Sequence, residues 1–219
     1  MIKQGLKYYG DIFNYILISN PDIYLENPLT LSKLKMILYN KKNCAVIGPK
    51  VIKGKEIQGP YKEQKLFNYI LYYLFPFISV PYRKIISTKT KYRSQEGYVW
   101  RIIGAFMLID FQTFKKVGFF DEHTFLYWEE EILSYKLNRI GQQVYYYPNI
   151  SIKHYHGGGS ESKFISNHSL DSMEYYFKLK GYSCLGINCA KKIIKYYNYL
   201  IKIYYNTVNR MRRNKSNEI

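Results

Sequence analysis

A chain of 219 residues can hold one globular domain with a real core and is short for two. Its composition, 47% hydrophobic and 22% charged, excludes a disordered chain; three cysteines, odd in number and without metal-site spacing, point to reduced thiols in a cytoplasmic protein. The formal charge of +17 is uneven: from residue 175 onward ten basic residues face one acid, Glu218, a basic end that suits an anionic membrane surface or another polyanion.

In chain order, residues 2–10 read as a helix closed by Gly10, and MIKQGLKYYGDIF has no apolar core of the kind that opens a signal peptide. YILIS (15–19) is a short apolar strand broken by the turn residues Asn20-Pro21-Asp22. From Pro28 to Asn40, Leu31, Leu34, Ile37 and Leu38 recur at helical spacing. CAVIGPKVI (44–52) is a second buried strand, interrupted by Gly48-Pro49. Strand, helix and strand in that order predict an α/β fold with a mostly parallel sheet flanked by helices.

Residues 54–96 are irregular, punctuated by Gly54, Gly59-Pro60, Pro76 and Pro81. Within them LFNYILYYLFPFISV (66–80) is short for a membrane span and carries Asn68 and Pro76, so it reads as a buried or interfacial segment. GAFMLID (104–110) is a strand, TFKKVG (113–118) a short helix, and a further helix runs from about Trp128 to Arg139 with Gly141 as its stop. VYYYP (144–148) and ISIKHYH (150–156) are extended, the second placing Ile150, Ile152, His154 and His156 on one face before GGGS (157–160). Helices follow at 172–180 and 186–208, the latter amphipathic through Cys189, Ile193, Tyr197, Leu200 and Tyr204.

Three stretches could carry chemistry. Asp22 follows an apolar strand and so sits at the carboxyl end of the sheet, where α/β folds bind ligands; its carboxylate could hold a divalent cation, or simply cap an Asx turn. In WEEEIL (128–133), glutamates in the first turn of a helix are favoured by the macrodipole, which accounts for one or two of the three. The aromatic run Phe125, Tyr127 and Trp128 before them would desolvate a carboxylate and raise its pKa toward that of a general base. His154 ends a strand beside a glycine-rich turn; it is either a satisfied core residue or a ligand complementing Asp22.

The series SNPD, GAFMLID, VGFFDEHTFLYWEEEIL and YYYPNISIKHYHGGGS resembles the family-2 glycosyltransferases, in particular their bacterial rhamnosyltransferase-like branch, which builds surface polysaccharides. The resemblance covers roughly residues 5–180, and the GFFDE…YWEE…H block is its most specific part. It implies a GT-A fold and inverting transfer from a nucleotide-diphosphate sugar donor to a glycan or lipid-linked acceptor, with Mg2+ or Mn2+ as cofactor. On this resemblance Asn20 and Asp22 stand at the D-x-D-type motif, with Asp22 and His154 (or His156) as metal ligands and Asn20, Asp22 and His154 on the donor diphosphate. Glu130 falls at the catalytic base, and Gly104, Ala105, Trp128 and Glu129 surround the acceptor pocket. Glu129 and Glu131 are then explained by the helix start and solvent.

The sequence departs from the family twice. Ile132 stands where many relatives have an Asp, and the chain opens on the helix before the NPD strand, without the family's first strand, helix and N-x-G loop. The resemblance therefore implies an incomplete nucleotide pocket, an exposed apolar sheet edge, weak nucleotide-sugar binding by the chain alone, and a complementing N-terminal chain or longer enzyme. It divides the chain into a partial GT-A domain, 1–180, and a basic helical tail, 181–219. The tail and the 66–80 segment suit peripheral contact with the inner face of an anionic membrane, either for an enzyme acting on a lipid-linked acceptor or for a non-catalytic membrane-surface protein derived from one. No nucleic-acid motif is present, and nucleic acid is not an expected partner.

Overall fold

The computed structural model describes residues 12–74, 94–124, 127–155 and 163–216. The expected helix at 2–10, Phe125, residues 75–80 of the apolar segment, His156 and the glycine run at 157–160 lie outside them. The strands are β1 (Tyr15–Ser19), β2 (Ile23–Tyr24), β3 (Cys44–Lys53), β4 (Glu56–Gln58), β5 (Gly97–Val99), β6 (Phe106–Asp110) and β7 (Gln143–His154). The helices are α1 (Thr30–Asn40), α2 (Leu66–Leu74), α3 (Phe111–Lys116), α4 (Glu129–Arg139), α5 (Lys163–Leu179) and α6 (Cys184–Ser216).

The strands form one sheet in the order β1-β6-β3-β7-β2, with β4 added to β3 and β5 to β7. It is mixed rather than mostly parallel: β3 and β7 pair in parallel, while every other pairing among the described residues is antiparallel. The strand–helix–strand pattern correctly implied that β1 and β3 run the same way. What it could not show is that β6, from sixty residues further on, inserts antiparallel between them.

Successive residues of the central strands face opposite sides, and both sides are covered. Val46, Met107, Ile109, Val144 and Tyr146 pack with Phe114 of α3 and Leu133 and Leu137 of α4. Ile47, Phe106, Leu108, Tyr145 and Ile152 pack on the other side with Leu34 and Leu38 of α1. This is why the strands read as unbroken apolar runs. β3 is continuous through Gly48-Pro49, where a break was expected: a Cβ on Gly48 would lie 2.2 Å from Ile102 Cδ1, so glycine admits the Ile102 side chain against the strand. Likewise β7 runs unbroken across Pro148, because the β3–β7 register shifts between Pro49 and Lys50 and leaves residues 148–150 in an irregularity that needs no donor from proline.

Two compact units are present, Met1–Glu63 with Thr88–Ser172, and Gln64–Ser87 with Met173–Ile219. The first holds the sheet. In the second, α2 lies on α6, with Tyr73 and Tyr197 ring centroids 5.2 Å apart. The buried face of α6 is Ile187, Ala190 and Ile194, so Cys189, expected on that face, is exposed. α2 and the end of α5 belong with α6 in this second unit.

Candidate active site

The chain leaves β1 at Ser19, turns through Pro21-Asp22, and enters β2, which pairs antiparallel with the end of β7 so that Ile23 faces His154. That register brings Asp22 to His154: Oδ1 lies 3.3 Å from Nε2, and the Asn20 amide Nδ2 is 3.4 Å from the same nitrogen. Behind the ring, His154 Nδ1 lies 2.6 Å from Oε1 of Gln58, which β4 delivers because Val51 of β3 pairs with both Gln58 and Ile152. An amide oxygen only accepts, so Nδ1 donates to Gln58, which leaves Nε2 as the ring atom that faces Asn20 and Asp22. Gln58 was not foreseen; it lies in the stretch that reads as irregular, and nothing local marks it.

Asp22 Oδ1 and His154 Nε2 could serve as two ligands of one cation. Among the described residues no cluster of three or more His, Cys, Asp and Glu occurs. A cation here would draw its remaining ligands from water and phosphate oxygens, the way hard divalent ions are commonly held.

Glu130 lies in the first turn of α4, and its Oε1 accepts a hydrogen bond from the Gly104 amide at 2.8 Å. Gly104 has no steric alternative: a Cβ there would sit 2.1 Å from Glu130 Oε1. Its backbone is not left-handed, so alanine would be tolerated by the chain and the carboxylate would have to move. We expect Gly104→Ala to unfold within about 1 kcal/mol of wild type, since lost backbone freedom in the unfolded chain offsets one lost hydrogen bond. Any reaction relying on Glu130 should fall at least about tenfold, as displaced catalytic groups do. Urea titration beside an activity assay checks both.

The residue after Gly104 ties the two halves together. The Ala105 carbonyl accepts from the Asn20 amide at 2.9 Å. Glu130, Gly104-Ala105, Asn20, Asp22, His154 and Gln58 are thus joined by an unbroken series of direct contacts across segments remote in sequence.

The three glutamates have different surroundings. Tyr127 and Trp128 both adopt left-handed backbone, φ 67° and 73°, a conformation that costs about 1–3 kcal/mol per non-glycine residue and concentrates at functional sites. This turn swings Glu131 inward, where it is only 2% exposed. Its Oε1 accepts from Trp100 Nε1 at 2.8 Å and its Oε2 pairs with Arg101 Nε at 2.5 Å, while the Arg101 guanidinium lies over the Tyr61 ring. Solvent therefore does not explain Glu131. Consecutive glutamates clamp one segment, Glu131 at residues 100–101 and Glu130 at 104. Burial pushes Glu129 above its ordinary pKa, and the neighbouring Glu130 charge adds to this. The aromatic wall is partial: Tyr127 is 46% exposed and Trp128 half-buried.

The loop before α4 is fastened by Asp121. Its carboxylate takes hydrogen bonds from the His123 amide and ring and pairs with Lys136 of α4 at 2.7 Å. Burial by itself would raise its pKa, but the Lys136 and His123 hydrogen bonds outweigh that and hold it well below the usual carboxylate range. A lowered folded-state pKa stabilises above the unfolded value and is lost as pH falls. Asp121→Asn should therefore cost about 1–2 kcal/mol at neutral pH, with Lys136 partly solvated, and the difference from wild type should shrink below about pH 4. Thermal melts across pH 2–7 would read it.

Two open clefts flank β5, lined by Tyr98, Trp100, Ser134 and Asn138 on one side and by Tyr61, Glu63, Glu96 and Trp100 on the other. None of the residues expected at the site lines either cleft.

No family model and no curated protein matches the sequence. Among solved structures, the crystal structure of GalNAc-T7 with UDP, GalNAc and Mn2+ matches 95% of this chain with a TM-score of 0.50 at 13% identity. The fold is thus a mixed α/β, GT-A-like glycosyltransferase fold. The chain spans 44% of the length of that protein.

Proposed function

We propose that this site transfers a sugar, with inversion, from a nucleotide-diphosphate donor to a hydroxyl of a glycan or lipid-linked acceptor. The observation that carries the reading is the run of contacts joining Asn20, Asp22 and His154 to Glu130 through Gly104-Ala105. It links a pair suited to a phosphate-bound cation, through the Gly104-Ala105 backbone, to a carboxylate held by one oxygen. The fold likeness to a protein crystallised with UDP, GalNAc and Mn2+ supports the donor class and the metal. The family-2, rhamnosyltransferase-like motif supports a role in surface-polysaccharide synthesis.

Asp22 Oδ1 and His154 Nε2 would hold Mg2+ or Mn2+, which when bound neutralises the departing diphosphate. Asn20 offers an amide donor to the same oxygens. Glu130, fixed through Oε1 by the Gly104 amide, takes the acceptor hydroxyl proton on Oε2 as the acceptor oxygen bonds to the anomeric carbon. The bond from that carbon to the diphosphate oxygen breaks on the opposite face. Trp128 and Glu129 border the acceptor. The test is release of nucleoside diphosphate from a panel of UDP-, dTDP- and GDP-sugars with lipid and glycan acceptors. Turnover abolished by chelation, restored by Mn2+ and reduced at least about a hundredfold in Asp22→Asn is expected. Metal-independent turnover with full activity in Asp22→Asn would refute the assignment.

A further inference from the structure

We infer that the second compact unit is a docking surface for an anionic lipid membrane, built on one stripe of α6. At about 3.6 residues per turn, Leu185, Tyr196, Tyr199 and Ile203 fall on one line, nearly opposite the buried Ile187, Ala190 and Ile194. A helix with one core-facing stripe should be polar on the other side. Instead these four side chains are 45 to 83% exposed. The apolar surface continues through Ile193 and Leu200 into a groove they share with Tyr73 and Leu74 of α2.

The charge around this stripe identifies its partner. Gln64–Ser87 with Met173–Ile219 contain thirteen basic residues and two acids, +11 of the chain's +17 in a third of its length. One of the acids, Glu174, is already paired with Lys178 and Lys191. Lys192, Lys195 and Lys202 are exposed along the stripe or on its flank. A second copy of this chain would have to bury those ammonium groups against an equally basic surface. A negatively charged bilayer accepts both features: the apolar side chains enter the headgroup boundary, tyrosines sit with ring inward and hydroxyl in water, and lysines meet lipid phosphates. Among the described residues no helix is long and apolar enough to cross a membrane.

The docking goes beyond the transfer reaction and does not depend on it. The test is co-sedimentation of the full chain with phosphatidylcholine vesicles with and without 30% phosphatidylglycerol. Binding only to the anionic vesicles is expected. Lys192→Glu/Lys195→Glu/Lys202→Glu should weaken it by about a hundredfold or more, and Tyr196→Ser/Tyr199→Ser/Ile203→Ser should abolish it, with far-UV circular dichroism and melting unchanged since all six residues are exposed. No binding to anionic vesicles overturns the proposal. So does concentration-dependent dimerisation that the serine variant removes, which would make a second copy the occupant. Binding to duplex DNA that the serine variant retains would mark a plain polyanion site and equally refute it. Glu130→Gln should bind vesicles like wild type, separating this result from the fate of the transferase reading.

Discussion

Glu130→Gln is expected to reduce sugar transfer by about 10²- to 10⁴-fold, the usual worth of a positioned general base, while leaving the protein's unfolding free energy within about 1 kcal/mol of wild type. The amide keeps the shape of the carboxylate and retains an oxygen for the Gly104 amide, so the contact at 2.8 Å survives. What it loses is the ability to take a proton. A loss of transfer with an unchanged melting curve therefore separates catalysis from folding. Retained transfer would remove Glu130 from the chemistry, and transfer lost together with stability would make it a structural residue.

Glu131 should behave in the opposite way. Its carboxylate is buried and bonded to Trp100 and Arg101, so Glu131→Ala leaves a guanidinium without its counter-charge in the interior. Removing one partner of a buried pair costs about 3–5 kcal/mol. The lower figure applies here, because Arg101 keeps the face of Tyr61 and about a fifth of its side chain meets solvent. That is a large share of the stability of a typical domain. Replacing both partners together, Glu131→Met with Arg101→Met, should recover most of it, since no charge is then stranded. Chemical denaturation of the single and double variants reads the result. A single variant within about 1 kcal/mol of wild type would show that the clamp on residues 100–101 contributes little.

Much of this was legible in the sequence, for reasons that can be stated residue by residue. The strands CAVIGPKVI and GAFMLID stand out because helices cover both faces of the sheet and force continuous apolar runs. The stop of α4 at Gly141, with φ 72°, follows from the left-handed turn that a helix end requires there. The direction of β6 was not legible, because its pairing partners are set by contacts far apart in the chain, such as Tyr15 with Asp110 and Val46 with Ile109, and not by local pattern. Gly104 carried a hidden message: it reads as the start of a strand, yet it is glycine because a neighbouring carboxylate occupies the place of its side chain. Glu131 was misread for a related reason. Helical spacing alone places it at the start of a solvated turn, whereas two left-handed residues before the helix rotate it into the core. Gln58 and Arg101 gain their roles only from strand register.

The pairing of Asp22 with His154 is tested most directly by paramagnetic broadening of backbone amide signals with Mn2+ and inorganic diphosphate, a probe that needs neither the sugar nor the nucleoside. With the cation held between Asp22 and His154, the signals of Asn20, Asp22, Ala105, His154 and Tyr155 should broaden first, and Asp22→Asn should remove the effect while Glu130→Gln leaves it intact. Broadening that begins at other carboxylates, such as Glu96 or Asp121, or that spreads evenly and persists in Asp22→Asn, would contradict a metal-assisted transferase site at this place in the fold.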